Sequence, residues 1–98
     1  METEFVINNL EFSEILPEKY TWQEAMNLGK SKWRLPSKSE LRMLYEKVPE
    51  SRCKEWLWTA SLVANNRNYM WLIYFSCGSD GYGVKTENYS VRLVRETN

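Results

Sequence analysis

The 98-residue chain is 43% hydrophobic and 14% aromatic, carries thirteen basic and thirteen acidic side chains, and contains no histidine. That length suits one hydrophobic core and is too short for two, so residues 1–98 are read as a single domain. A formal charge of zero removes the overall field behind nonspecific nucleic-acid binding, and without histidine the Ser-His-Asp, Cys-His, two-histidine zinc and facial-triad iron arrangements each lack a member.

In chain order, "EFVINNLEFSEI" reads as a hairpin turning at Asn8 and Asn9, because asparagine tolerates the positive φ of a tight turn. In "PEKYTWQEAMNLGKSK", Thr21 stands three residues before Glu24, the spacing of a capping box. Trp22, Ala25 and Met26 then fall on one helical face and Gly29 ends the helix. "WRLPSKSELRMLY" repeats this grammar: Pro36 blocks an earlier start, and Ser37 with Glu40 forms a second capping box. Leu41, Leu44, Tyr45 and Val48 follow at i, i+3, i+4 and i+7. This helix ends near Pro49, and "ESRCKE" is a polar connection.

From Trp56 the pattern becomes that of strands: "WLWTAS", "NYMWLIYF", "YGVKT" and "YSVRLVR", with turns between them. "YMWLIYF" is apolar on both faces, as a central strand is. "YSVRLVR" sets Val91 and Leu93 against Arg92 and Val94. The Gly78 to Gly83 cluster, Asp80 included, reads as a hairpin turn.

Charge is uneven along the chain. Glu2, Glu4, Glu11, Glu14 and Glu18 lie in the first twenty residues, while Lys30, Lys32, Arg34, Lys38, Arg42 and Lys47 dominate the middle. These regions are expected to face one another or to be solvated. No apolar run can span a bilayer, and the acidic N-terminus is unlike a signal peptide, so a soluble cytoplasmic protein is expected, with no membrane partner. Cys53 and Cys77 are too few for a disulfide framework or a zinc site and are expected reduced and partly buried.

The segments "TWQEAMNLG", "WRLPSKSELRMLY", "WLWTAS", "MWLIYFSCGSDGYG" and "YSVRLVR" occur in the order and approximate spacing of the DUF1566 family. That family is also known as the Legionella collagen-like protein C-terminal domain family and is related to C-type-lectin-like folds. The resemblance runs from about Tyr20 to Arg95, and its most specific elements are Trp33-Arg34-Leu35-Pro36, the aromatic strand with its glycine turn, and Val91 to Arg95. It implies an α+β domain in which two short helices flank a twisted, mostly antiparallel sheet, with close chain ends and long loops on one side. It also implies a noncatalytic binding or surface module. The extracellular, sugar-binding setting of many members is not carried over, because this chain shows no export signal.

The calcium-and-sugar triplets of C-type lectins, Glu-Pro-Asn, Gln-Pro-Asp and Trp-Asn-Asp, are missing, and no glycine loop has phosphate-cradling spacing. No cofactor and no metal are expected. The cysteine pair of the lectin-like sulfatase-activating enzymes aligns with neither Cys53 nor Cys77 by any motif. The leading functional reading is a small module that recognises another macromolecule, a protein, without nucleic acid. Its expected contact residues are Arg67, Tyr69, Asp80, Tyr82, Asn88 and Tyr89, types that recur in adaptable recognition loops.

A sharper variant is a phage or mobile-element accessory protein that inhibits a host defence enzyme by covering its surface. A third reading is a small-ligand or carbohydrate binder using Trp58 or Trp71 as an aromatic platform with Arg92 beside it. Oligomeric state is not encoded legibly. Arg34, between the apolar anchors Trp33 and Leu35, is expected to act structurally in preference to facing a partner.

Overall fold

The computed structural model describes residues 1–97. Strands β1 (Thr3–Ile7) and β2 (Leu10–Ser13) lead to helices α1 (Trp22–Asn27) and α2 (Lys38–Lys47) and a short 3₁₀ turn, Pro49–Ser51. Strands β3 (Trp56–Leu62), β4 (Tyr69–Tyr74), β5 (Ser79–Val84) and β6 (Val94–Glu96) follow. They form two antiparallel three-stranded sheets, β1-β2-β6 and β3-β4-β5, where the sequence pattern suggests one. The class is α+β, as expected.

Local chemistry accounts for the first half. Asn8 and Asn9 adopt φ of 51° and 65° in the opening hairpin. Both capping boxes form: Thr21 Oγ1 accepts from the Glu24 amide at 3.3 Å and Glu24 Oε1 from the Thr21 amide at 3.0 Å, while Ser37 and Glu40 do the same at 3.2 and 2.9 Å. Ala25 is buried beneath α1, but Met26 lies outside the core at 40% exposure. Six residues give α1 room to bury only a narrow stripe.

β4 is the central strand, and its two apolar faces serve two cores. Met70 and Leu72 join Trp33, Leu35, Trp58, Val91 and Leu93 on one side. Ile73 and Phe75 join Phe12, Leu41, Leu44, Leu57 and Val94 under α2 on the other. "YSVRLVR" feeds both cores with the expected alternation, yet only its end is regular strand. Ser90 makes an isolated parallel bridge to Leu57, and Arg34 bridges Val94. The segment has to pass from the β3 edge to the β2 edge, so it cannot stay in one ladder.

Charges pair differently from the expected acidic-against-middle arrangement. Glu4 meets Arg92 at 2.8 Å and Glu11 meets Arg95 at 3.1 Å, so N-terminal acids bind the C-terminal segment. Arg34 grips Glu40 through two 2.8 Å hydrogen bonds and reaches Glu96 at 2.8 Å. It therefore ties α2 to β6 in a structural role. Those hydrogen bonds hold the Glu40 carboxyl below its usual range and push the Arg34 guanidinium up.

Arg34→Ala should lower stability by about 1 kcal/mol, since the arginine is partly solvated, and the melting temperature by about 4–8 °C. A depressed carboxylate stabilises the fold above its unfolded pKa of about 4.3 and loses that contribution as pH falls through the lower folded value. Thermal melts should thus show wild type and variant converging on acidification below about pH 4. An equal gap at neutral and strongly acidic pH would remove the ion pair as the cause.

Candidate functional site

Register places side chains unambiguously on the β3-β4-β5 sheet, because directly paired residues share a face. Trp71 pairs with Tyr82, Tyr69 with Val84, and Ile73 with Asp80. α2 covers the Ile73 and Phe75 end of that face and leaves the other end open. There Tyr82, at 59% exposure, meets Tyr69 and Trp71 edge to face, with ring centroids 5.4 and 5.8 Å apart. Lys38, at the first turn of α2, sets its Nζ 3.8 Å above the Trp71 ring and 3.4 Å from Asp80. Arg42, one helical turn on, also binds Asp80. Two cations thus share one carboxylate beside three aromatic rings.

The scaffold under this patch is firmly held. β3 bulges between Trp58 and Leu62, where Thr59 Oγ1 donates to the Trp71 carbonyl at 2.9 Å and accepts from the Ser61 amide at 3.0 Å. Ser61 Oγ in turn accepts from the Lys38 amide at 3.0 Å, and the Ala60 amide donates to the Pro36 carbonyl at 2.8 Å. The start of α2, and with it Lys38, is therefore fixed to the sheet.

The opposite face carries a cleft. Trp56 stacks on Tyr74 with centroids 4.8 Å apart and planes 18° apart, and Tyr89 stands edge-on to the buried Trp58 at 5.0 Å. Between Trp56 and Tyr89 lies a groove of about 280 Å³, floored by Leu72 and bordered by Gly81 and Tyr82. A second recess of about 220 Å³ shares Trp56 and Tyr89 with this groove and is also lined by Lys19, Lys54, Glu55, Tyr74 and Asn88.

The glycines explain how the aromatic walls of the cleft come to lie against β5. Gly83 lies in β5, as the strand reading of "YGVKT" has it, but β5 begins at Ser79, so Gly81 is also a strand residue and only Gly78 occupies the expected turn, with φ of 78°. A Cβ at Gly81 would lie 2.6 Å from the Trp56 ring, and one at Gly83 would lie 2.6 Å from the Tyr89 ring. Both positions are bare because aromatic rings lie on them. Asp80 is likewise a strand residue.

Of the six expected contact residues, Tyr69, Asp80 and Tyr82 come together on the open face. Asn88 and Tyr89 border the cleft on the other face, and Arg67 is exposed in the turn two residues before Tyr69. Burial raises the pKa of the Tyr89 phenol, which donates to Glu87 at 3.1 Å. Sequence reasoning missed Lys38, Arg42 and Trp56. The first two look like ordinary solvated helix residues until α2 packs on β3 and β4 and brings them to Asp80 of β5, and Trp56 precedes a core tryptophan at strand spacing.

Two expectations change. Trp58 is fully buried and Arg92 is only 3% exposed between Phe5 and Phe75, so neither contributes to a surface platform. Trp71 remains at the surface, paired with Lys38 in place of Arg92. Among the cysteines, Cys53 is half-buried, with burial raising its pKa. Cys77 is exposed, outside any core, and its hydrogen bond with Ser79 lowers its pKa.

A family model described as the Lcl C-terminal domain matches residues 8–95. No curated protein matches the chain. Among solved structures it is similar to that of EMS16, an antagonist of the collagen receptor integrin alpha2beta1. The TM-score is 0.64, covering 95% of this chain and 96% of that one at 11% identity. The likeness is one of fold, which is C-type-lectin-like.

Proposed function

The chain belongs to the Lcl C-terminal domain family, and from that premise we propose that it is a noncatalytic binding module that recognises a protein through the Tyr69, Trp71 and Tyr82 face. The observation that carries this reading is the aromatic trio of exposed Tyr82 and half-buried Tyr69 and Trp71, packed beside the Lys38, Arg42 and Asp80 charges. Aromatics whose conformational freedom is already spent lose little entropy on docking, and a charged rim sets partner choice. That EMS16 is an antagonist of a receptor agrees with a fold suited to protein surfaces.

Three of the thirteen acidic side chains are committed to hydrogen bonds that make them poor general bases. Glu11, Glu40 and Glu96 all titrate below the usual range because hydrogen bonds hold them as anions, led by Thr3 at Glu11 and by Arg34 at Glu40 and Glu96. A general base needs a pKa nearer the working pH. Two unpaired cysteines, one exposed, suit a reducing compartment, and we place the encounter in the cytoplasm. In its narrower form the partner is an enzyme whose surface this domain covers.

Affinity capture from cells of the source organism, with wild type and Tyr82→Ala as parallel baits, tests the reading. Losing an aromatic anchor worth about 2 kcal/mol weakens a partner about thirtyfold, so its recovery should collapse while the variant melts like wild type. Partners retained by Tyr82→Ala and by Trp71→Ala would refute the face.

A further inference from the structure

β5 is an edge strand of its sheet, and its hydrogen-bonding pattern shows which backbone groups lack partners. In an antiparallel pair, residues alternate between those bonded to the neighbour and those turned away. The Lys85 amide donates to the Asn68 carbonyl at 3.1 Å, which sets the alternation. With the register of β4 and β5, Gly81 and Gly83 face β4, whereas Asp80, Tyr82 and Val84 turn outward. Val84 is already capped, its amide donating to Glu87 Oε1 at 2.9 Å and its carbonyl accepting from the Glu87 amide at 2.9 Å. The outward N–H and C=O groups of Asp80 and Tyr82 have no partner among the described residues.

Edge strands are usually protected by lysine, proline or a covering segment. This one is bordered by binding surface on both sides. The groove between Trp56 and Tyr89 opens beside Gly81, whose missing Cβ lets the Trp56 ring lie against β5 as one wall of the groove. On the other face stand Tyr82 and the two cations that share Asp80.

We propose that the protein partner binds by adding an extended segment to β5 as a fourth strand, pairing with the free backbone of Asp80 and Tyr82. The inference rests on the protein-binding reading above and names the form the partner takes. Side chains of an added strand alternate between faces. The residue opposite Gly81 points into the groove, whose volume and Trp56, Leu72 and Tyr89 lining suit one large apolar side chain. Its neighbours lie against Tyr82 and the surplus positive charge of Lys38 and Arg42, which favours a carboxylate there. The segment is thus extended, apolar on one face and acidic on the other.

A library of random linear twelve-residue peptides displayed on phage and selected on the intact protein supplies the probe. The selected peptides should slow hydrogen exchange at the Asp80 and Tyr82 amides. Asp80→Pro removes one outward amide without touching the β4 ladder, and it should bind them at least tenfold more weakly than Asp80→Ala, which loses the same carboxylate. N-methylation of alternate peptide amides, read on wild-type protein, should abolish binding in one phase and spare it in the other. This keeps the test valid if Asp80→Pro fails to fold.

Strand addition is overturned if no peptide is selected, if protection appears only away from β5, if N-methylation has no effect in either phase, or if the free protein is a dimer paired through β5. Loss of binding in Tyr82→Ala and Trp71→Ala with N-methylated peptides unaffected would leave the aromatic face standing and remove the strand. Normal binding by Trp71→Ala with sensitivity to N-methylation would do the reverse.

Discussion

Arg92→Met should lower the free energy of unfolding by about 3 kcal/mol, the loss expected on breaking a buried charged network. Arg92 is only 3% exposed and donates from Nη1 to Glu4 at 2.8 Å and to the Ser13 carbonyl at 2.9 Å, with Nη2 3.5 Å from the Ser51 carbonyl. It thereby joins β1, β2 and the 3₁₀ turn to the closing segment. Methionine keeps much of the volume between Phe5 and Phe75 but leaves the Ser13 carbonyl without its donor. Two factors limit the cost. Glu4 is half-exposed and can rehydrate, and Arg92 Nε is buried without a partner in the wild type, a penalty of about 1 kcal/mol that the variant escapes. Urea unfolding should show a lower midpoint at unchanged slope. A change under about 1 kcal/mol would mean that desolvating the guanidinium already cancels its bonds.

The same residue marks where the sequence becomes hard to read. Both helices were legible because a capping box is a local device: four consecutive residues contain donor, acceptor and spacing. The hairpin at Asn8 and Asn9 was legible for the same reason, and β4 announced its central place by being apolar on both faces. Arg92 sits in an alternating segment beside valines and leucine, and nothing within ten residues says that Glu4 and Ser13 will surround it. Its partners are 88 and 79 positions away.

The candidate site divides along that line too. Tyr69, Asp80 and Tyr82 could be singled out by type, but their union with Lys38, Arg42 and Trp71 depends on α2 crossing the end of the sheet. The glycines misled most instructively. A cluster of Gly78, Gly81 and Gly83 looks like a turn, yet the spacing of two between Gly81 and Gly83 is strand periodicity. It clears one face of β5 for the rings of Trp56 and Tyr89. A turn and a bare strand face use the same residue for different reasons, one for positive φ and one for the missing Cβ.

Trp58→Ala should cost about 4 kcal/mol, within the range for deleting a fully buried aromatic. Against a total stability of about 5–15 kcal/mol for a domain of this kind, that leaves a substantial unfolded fraction under mild denaturing conditions. Trp58 has no exposed surface and packs with Leu72, Val91 and Leu93, and its indole N–H donates to the Tyr20 carbonyl at 2.7 Å. The ring also supports Tyr89 edge-on, and Tyr89 forms one wall of the groove beside Gly81.

Trp58→Phe separates these roles. It keeps an apolar ring under Tyr89 while losing the hydrogen bond to Tyr20 and some volume, at about 2 kcal/mol. Urea unfolding should therefore rank wild type above Trp58→Phe and Trp58→Ala last. Peptides selected for strand addition should bind Trp58→Phe within a few-fold of wild type, since the groove wall keeps its support. A Trp58→Ala variant within about 1 kcal/mol of wild type would show that Tyr89 and Leu72 close over the vacated space. The groove would then be a yielding surface, and strand addition would have to rely on the free backbone of Asp80 and Tyr82 alone.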